Sequence, residues 1–294
     1  MNNRLLVTLR HAFVFGALLF GATSSAGIAQ IGGLLGAIRN SVVNPLVSVN
    51  GNTATANISL PGNIGADVTV NFDSTQNLSA ANLGISADLV DISAPGLIAR
   101  LPDSLLTSIP SAFPLLLTVE PSGGFSFTNS YSVEIHTSNL VFVPGTPLRI
   151  FKAPIGGAFV DITEDVTSGS VRTRGREGGF SQFLIVADLR PNSIVAVGKF
   201  NALSARLANT TMSPALLAQL NATLAQARAA FNANNYAGAI ASMDTFRTQV
   251  QAQAGTGLAN VWRPARDLDN AEGVLDGMAS TLRFTLVRLR DYGL

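Results

Sequence analysis

The sequence predicts a multidomain α+β chain, an N-terminal antiparallel β-sandwich-like domain followed by a small antiparallel helical bundle. Three observations carry that expectation. Twelve of the thirteen prolines lie at or before Pro214, and the chain beyond them is rich in Ala, Leu and Gln. Ahead of residue 200, short apolar runs alternate with polar residues at a period of two, which suits half-buried strands. After it, apolar residues recur at three- and four-residue spacing, which suits amphipathic helices. With 294 residues, 47% hydrophobic and 13% charged, the chain has apolar material for two cores, and disorder is excluded as its general state.

Residues 1–29 read as a secretory signal peptide. Arg4 and Arg10 supply a positive start, residues 12–22 form an apolar run, and small residues up to Ala29 suit signal peptidase. The run is too short to span a bilayer, and no later segment approaches the necessary length, so no transmembrane segment is expected after signal removal. Cleavage would leave 17 basic against 18 acidic groups, a balance that gives no general electrostatic attraction to nucleic acid. Residues 30–44 are read as an N-terminal arm. Its Gly32-Gly33-Leu34-Leu35-Gly36 cluster lacks the lysine and the preceding strand of a phosphate-binding loop.

Residues 45–200 form the expected β domain. Strand-like alternation covers 53–59, 66–72, 83–92, 115–120, 125–137, 146–152, 158–162, 169–174 and 180–189. Turn pairs such as Pro61-Gly62, Pro144-Gly145, Gly156-Gly157 and Gly178-Gly179 separate the runs. Many short strands at this spacing point to an antiparallel sandwich or barrel. Residues 95–106 break the rhythm and read as a short helical excursion or packed loop.

Residues 201–294 form the expected bundle. A lead-in around 203–207 precedes Ser213-Pro214, an N-cap with proline at the first helical position. Leu216, Leu220, Leu224 and Ala227 then mark one helix. Tyr236, Ala239, Ile240, Met243, Phe246 and Val250 mark a second, stopped by Gly255-Thr256-Gly257. A third begins near Leu268 and carries Leu275, Leu282, Leu286 and Leu289, with Arg288 and Arg290 placed to suit the helix dipole.

Composition also restricts the chemistry. The chain has no cysteine, which removes disulfides, thiolate nucleophiles and zinc–thiolate sites, and only two histidines and two lysines, Lys152 and Lys199. His136 shares one strand face with Ser132 and Glu134, but four residues of strand separate Ser132 from His136 by roughly 13 Å, too far for a nucleophile and its base. Asp161, Glu164 and Asp165 follow a strand and are the candidate ligands for calcium, the one cofactor considered; the competing reading is solvated surface. Together with Glu134 they are also the only carboxylates proposed for a glycan hydrolase. Arg172, Arg174 and Arg176 alternate along a strand, a stripe that suits a polyanion or envelope glycan, or else a charged edge strand bridged to the acidic segment. Trp262, the sole tryptophan, would stack on a sugar ring or pack against the β domain.

Two resemblances follow from particular residues. Leu220, Leu224 and Ala227, the Asn234-Asn235 turn with Ala239-Ile240, and Met243, Phe246, Val250 and Gly255 resemble a FIMAH-type helical module of bacterial extracellular proteins over 205–288. The order Ile109-Pro110-Ser111-Ala112-Phe113-Pro114, Pro147-Leu148-Arg149-Ile150-Phe151, Gly178-Gly179-Phe180-Ser181-Gln182-Phe183 and Val261-Trp262-Arg263 resembles an uncharacterised family of exported bacterial proteins, a domain of unknown function. That resemblance implies a β-rich domain joined to a helical module and carries no catalytic residues. The expected function is non-catalytic: an exported interaction or accessory protein of the bacterial envelope or extracellular space, periplasmic or extracellular, whose partner is an envelope glycan or another exported protein. Calcium- or polyanion-binding, and carboxylate-dependent glycan hydrolysis, are the alternatives.

Overall fold

A computed structural model describes residues 38–293. The signal-peptide segment, the first part of the arm and the Gly32–Gly36 cluster lie outside the described residues. In chain order the elements are β1 (Ile38–Val43), β2 (Leu46–Asn50), β3 (Thr53–Leu60), β4 (Ile64–Gln76), α1 (Ala80–Leu83), β5 (Ile85–Val90), α2 (Pro95–Ile98), β6 (Thr107–Ser108) and β7 (Leu115–Val119). There follow β8 (Ser126–Thr137), β9 (Leu148–Ala153), β10 (Val160–Asp161), β11 (Thr163–Thr167), β12 (Val171–Glu177), β13 (Gln182–Asp188), α3 (Asn192–Ala208), α4 (Pro214–Asn232), α5 (Tyr236–Gln251), β14 (Val261–Trp262) and α6 (Ala271–Tyr292).

The strands form two antiparallel sheets. One runs β1-β5-β7-β13-β9-β10 with β6 beside β13; the other runs β11-β12-β8-β4-β3-β2 with β14 beside β8. Both sheets feed one apolar cluster: Ile58, Val70, Val133, Ile135 and Val171 from the second sheet with Ala87, Leu117, Ile150, Phe183 and Ile185 from the first. The period-two burial of β3 follows from this, since Ala54, Ala56, Ile58 and Leu60 enter the cluster and the side chains between them leave it. The opposite face of the first sheet buries Leu116, Phe151, Leu184 and Val186 under Leu97, Leu101 and Ile109. The irregular 95–106 stretch is thus a cover over that face, with α2 its only helical turn.

Helices α3 to α6 share a second cluster that includes Phe200, Leu203, Leu220, Met243, Phe246, Leu275 and Leu282. Ser213 and Asn235 cap α4 and α5 by accepting from Leu216 N and Gly238 N. The predicted lead-in at 203–207 belongs to α3, whose 17 residues begin at Asn192 and run across residue 200. Ile194, Val195, Val197 and Gly198 are weak helix formers, and packing of Ala196, Phe200, Leu203 and Leu207 against the other helices overrides that preference. Residues 38–43, part of the segment read as an arm, form β1 against β5.

The two halves are joined along α6, which lies on β8, β11 and β12 of the second sheet. Its N-cap Asn270 accepts from Gly273 N and donates to the carbonyls of Asn129 (2.7 Å) and Gly178 (3.0 Å). Gly273 and Gly277 permit the approach. A Cβ on Gly273 would stand 2.3 Å from the Asn129 carbonyl oxygen, and one on Gly277 2.6 Å from that of Arg176. The intervening β14 adds a short strand to β8, pairing Trp262 with Phe127.

Candidate functional site

The acidic segment is where the chain crosses from one sheet to the other. Asp161 ends β10 on β9, and Glu164 and Asp165 lie in β11 on β12. Asp161 Oδ1 accepts from the amide and hydroxyl of Thr163, and that hydroxyl also accepts from Ile150 N at 3.0 Å, which replaces a ladder bond lost at the corner. The other oxygen, Oδ2, lies 2.6 Å from Lys199 Nζ of α3. Lys199 also donates to the hydroxyls of Thr281 (2.6 Å) and Thr285 (2.9 Å) on α6. Burial by itself raises the Asp161 carboxyl, but Lys199, Arg149 and these hydrogen bonds hold it below the usual carboxylate range. For Lys199, burial outweighs Asp161 and lowers the ammonium. One lysine therefore ties the sheet corner to two helices.

The arginine stripe does alternate along β12, but β12 is not an edge strand. It is hydrogen-bonded between β8 and β11, and β11 is the edge. Its outward residues are bridged on both sides and from above. Arg172 meets Glu134 at 3.1 Å; Arg174 meets Glu164 at 2.9 Å and Asp165 at 3.1 Å; Arg176 meets Glu164 at 2.9 Å and lies 3.8 Å from Asp276. Ser280 of α6 donates to Glu164 as well. Burial would raise the Glu164 carboxyl, yet Arg176, Arg174 and Ser280 hold it low. The three proposed calcium ligands consequently diverge: Asp161 turns to Lys199, and Glu164 and Asp165 to the arginines. Among the described residues no group of three or more His, Asp or Glu side chains is arranged to hold a metal ion. His136 stands beside Asp67, with Nδ1 3.3 Å from Oδ2.

Trp262 packs. Its ring stacks on Phe127 at 5.3 Å and meets Phe180 edge-on at 5.5 Å. Neighbouring Arg263 is paired with Asp267.

Glu272 and Asp276, one turn apart on α6, are both about 1% exposed. Asp276 accepts from Arg247 Nε at 2.8 Å and Gln251 Nε2 at 3.1 Å, whereas Glu272 Oε2 has no hydrogen-bond partner among the described residues. Burial, reinforced by Asp276 and by Asp73 and only partly opposed by Arg176, pushes the Glu272 carboxyl up to about 7. A carboxyl raised in the folded state adds stability that is complete below the unfolded value of 4.5 and is lost as pH rises through about 7. Denaturant unfolding should therefore show a fall of about 3 kcal/mol between pH 4.5 and 8, superposed on other titrations. Glu272→Gln should flatten that slope; an unchanged slope would place the proton elsewhere.

A cleft of about 590 Å3 lies where β9 and β10 meet α3 and α6. Phe159, Val160, Ile162, Ile194, Val195 and Met278 supply its apolar walls, and the Lys199–Asp161 and Lys152–Glu177 pairs stand in its lining. Both lysines of the chain thus border one cavity. Gly198 leaves room in the α3 wall: a Cβ there would meet nothing within 4 Å. Toward β14 a second compartment of about 240 Å3 shares Lys152 and Val160 with the first and is bounded by Phe180, Ser181, Trp262 and Arg266. The sequence signalled little of this, because its walls come from segments far apart in the chain. Its only trace was the scarcity of lysine.

No curated protein matches the chain. A family model described as a family of unknown function, DUF6689, matches residues 25–290, which takes in both sheets and the long helices but for the last two residues of α6. The chain belongs to that family.

Proposed function

We propose that the protein is an exported, non-catalytic binding protein that holds a small, largely apolar ligand in the cleft between the sheet edge and helices α3 and α6. The observation that carries this reading is the cleft itself: its volume falls in the roughly 300–1,000 Å3 range of small-molecule sites, and its walls are mainly apolar with a few charged groups. Gly198 lines the cleft from α3 at an exposed position, where an added Cβ would meet nothing within 4 Å.

Our reading of the two sheets is a sandwich, supported by the single apolar cluster to which both contribute. Export rests on the charge, apolar run and small residues of 1–29. No described helix is long and apolar enough to cross a membrane. An envelope or extracellular setting would present the cleft to lipids, glycan fragments or a protein partner. The arginine stripe is a poorer candidate for the ligand site, because Glu134, Glu164, Asp165 and Asp276 already meet it.

The test is a pair of substitutions at Gly198. Gly198→Ala should raise stability by about 0.5–1 kcal/mol, since alanine favours the helix and no atom opposes its methyl. Gly198→Phe should fill the cleft and abolish the thermal upshift given by apolar ligands. Mass spectrometry of an organic extract of the protein, purified from its natural host, should find a small molecule that is missing from the Phe variant. An extract identical for both would overturn the reading.

A further inference from the structure

We infer that the ligand is an amphiphile with an anionic head, its tail in the larger compartment and its carboxylate or phosphate in the smaller one, held by Lys152 and Arg266. The inference rests on the reading of the cleft as a ligand site. Three observations support it.

The smaller compartment is lined by two cations and by no carboxylate. Lys152 has three N–H donors and one protein acceptor, Glu177 Oε2 at 2.9 Å. Its side chain is only 15% exposed, so its remaining donors have little bulk water to turn to. Arg266, at the mouth, forms no side-chain hydrogen bond or ion pair among the described residues, and its backbone is left-handed at φ 53°. An uncommon conformation for a side chain of that size, it places a free guanidinium on the rim. Ser181 in the same wall has a buried hydroxyl with no hydrogen-bond partner among the described residues.

The larger compartment differs. The three donors of Lys199 are taken by Asp161, Thr281 and Thr285, and Arg190 is held bidentately by Asp188 at 2.9 and 2.7 Å, whereas Lys152, though paired with Glu177, has donors beyond that one bond. Its unclaimed surface is apolar. Lys152 and Val160 border both compartments, so the two adjoin, and the inferred ligand spans them with its polar end in one and its chain in the other.

The test is calorimetric titration of the full-length chain, stripped of bound lipid, with dodecanoate, dodecyl phosphate and 1-dodecanol below their aggregation concentrations. At least one anion should bind tenfold or more tightly than the alcohol. Arg266→Ala, a change at an exposed position, should reduce that preference threefold or more. Lys152→Gln should reduce it further. Equal affinity for anions and alcohol, or a preference that survives both substitutions, would overturn the anionic head and leave the apolar cleft standing. Binding of none of the three would overturn the cleft reading along with it. A preference for one anion would distinguish a fatty-acid-like from a phospholipid-like head.

Discussion

Lys199→Met is expected to lower the unfolding free energy by about 3–5 kcal/mol, a loss typical of breaking a buried ion pair from one side. Asp161 would be left at the sheet corner without its ammonium partner, 4% exposed, and the hydroxyls of Thr281 and Thr285 would lose the donor that gathers them. The cost comes from the stranded carboxylate more than from the pair's own attraction. Adding Asp161→Asn should therefore recover at least half of the loss, since asparagine keeps an acceptor for the Thr163 amide and hydroxyl but carries no charge. Chemical denaturation of the two single variants and the double variant gives the coupling directly. Additive losses would show that Lys199 acts through packing alone.

Gly277→Ala should be about as damaging, roughly 3 kcal/mol or at the upper end of overpacking costs. On an open helix face the same change favours folding by up to about 1 kcal/mol. Here the new methyl would lie 2.6 Å from the Arg176 carbonyl oxygen and 3.1 Å from Glu177 Cα, backbone atoms of a central strand that cannot turn aside. Relief would require α6 to lift from the sheet, stretching the Ser280 hydrogen bond to Glu164 and the approach of Asp276 to Arg176. The comparison with Gly198→Ala is informative, because one substitution in two helices of one protein is expected to act with opposite signs. If Gly277→Ala melts at the wild-type temperature, the close approach of helix and sheet is wrong.

Much of the fold was legible because it depends on local pattern. Strands β3, β4, β8, β12 and β13 announce themselves by alternation, and α4, α5 and α6 by helical spacing with Ser213 and the glycine stop at 255–257. Elements that rely on a neighbour were less visible. Strand β11 read as an acidic loop because Thr163-Glu164-Asp165 has weak strand preference, and pairing with β12 supplies what propensity does not. The first turns of α3 carried no helix signal, because Ile194, Val195 and Val197 are weak helix formers; α3 places Ile194 and Val195 beside the cleft. Strand β14 is two residues long and takes its conformation from β8.

The site residues divide the same way. Alternation placed Arg172, Arg174 and Arg176 on one face and suggested bridging to the acidic segment, which the structure shows for Glu164 and Asp165. It could not show that Asp161 turns away to Lys199, 38 residues later, or that Trp262 stacks on Phe127. Gly273-Val274-Leu275-Asp276-Gly277 carried a four-residue glycine spacing whose meaning depends on the strand beneath it.

By itself, the sequence determined the two-part α+β organisation, the positions of most regular elements, the absence of cysteine chemistry and the alternation that puts three arginines on one face. Periodicity and composition are properties of the chain alone, and they suffice to choose helix or strand and to choose which side of each is buried. Only the tertiary structure decided which charges meet, how closely α6 lies on β12, and that Lys152 and Lys199 border one cleft. Those outcomes depend on distances between residues remote in sequence, and the energy of a charge is set by the partners and the burial that folding brings to it.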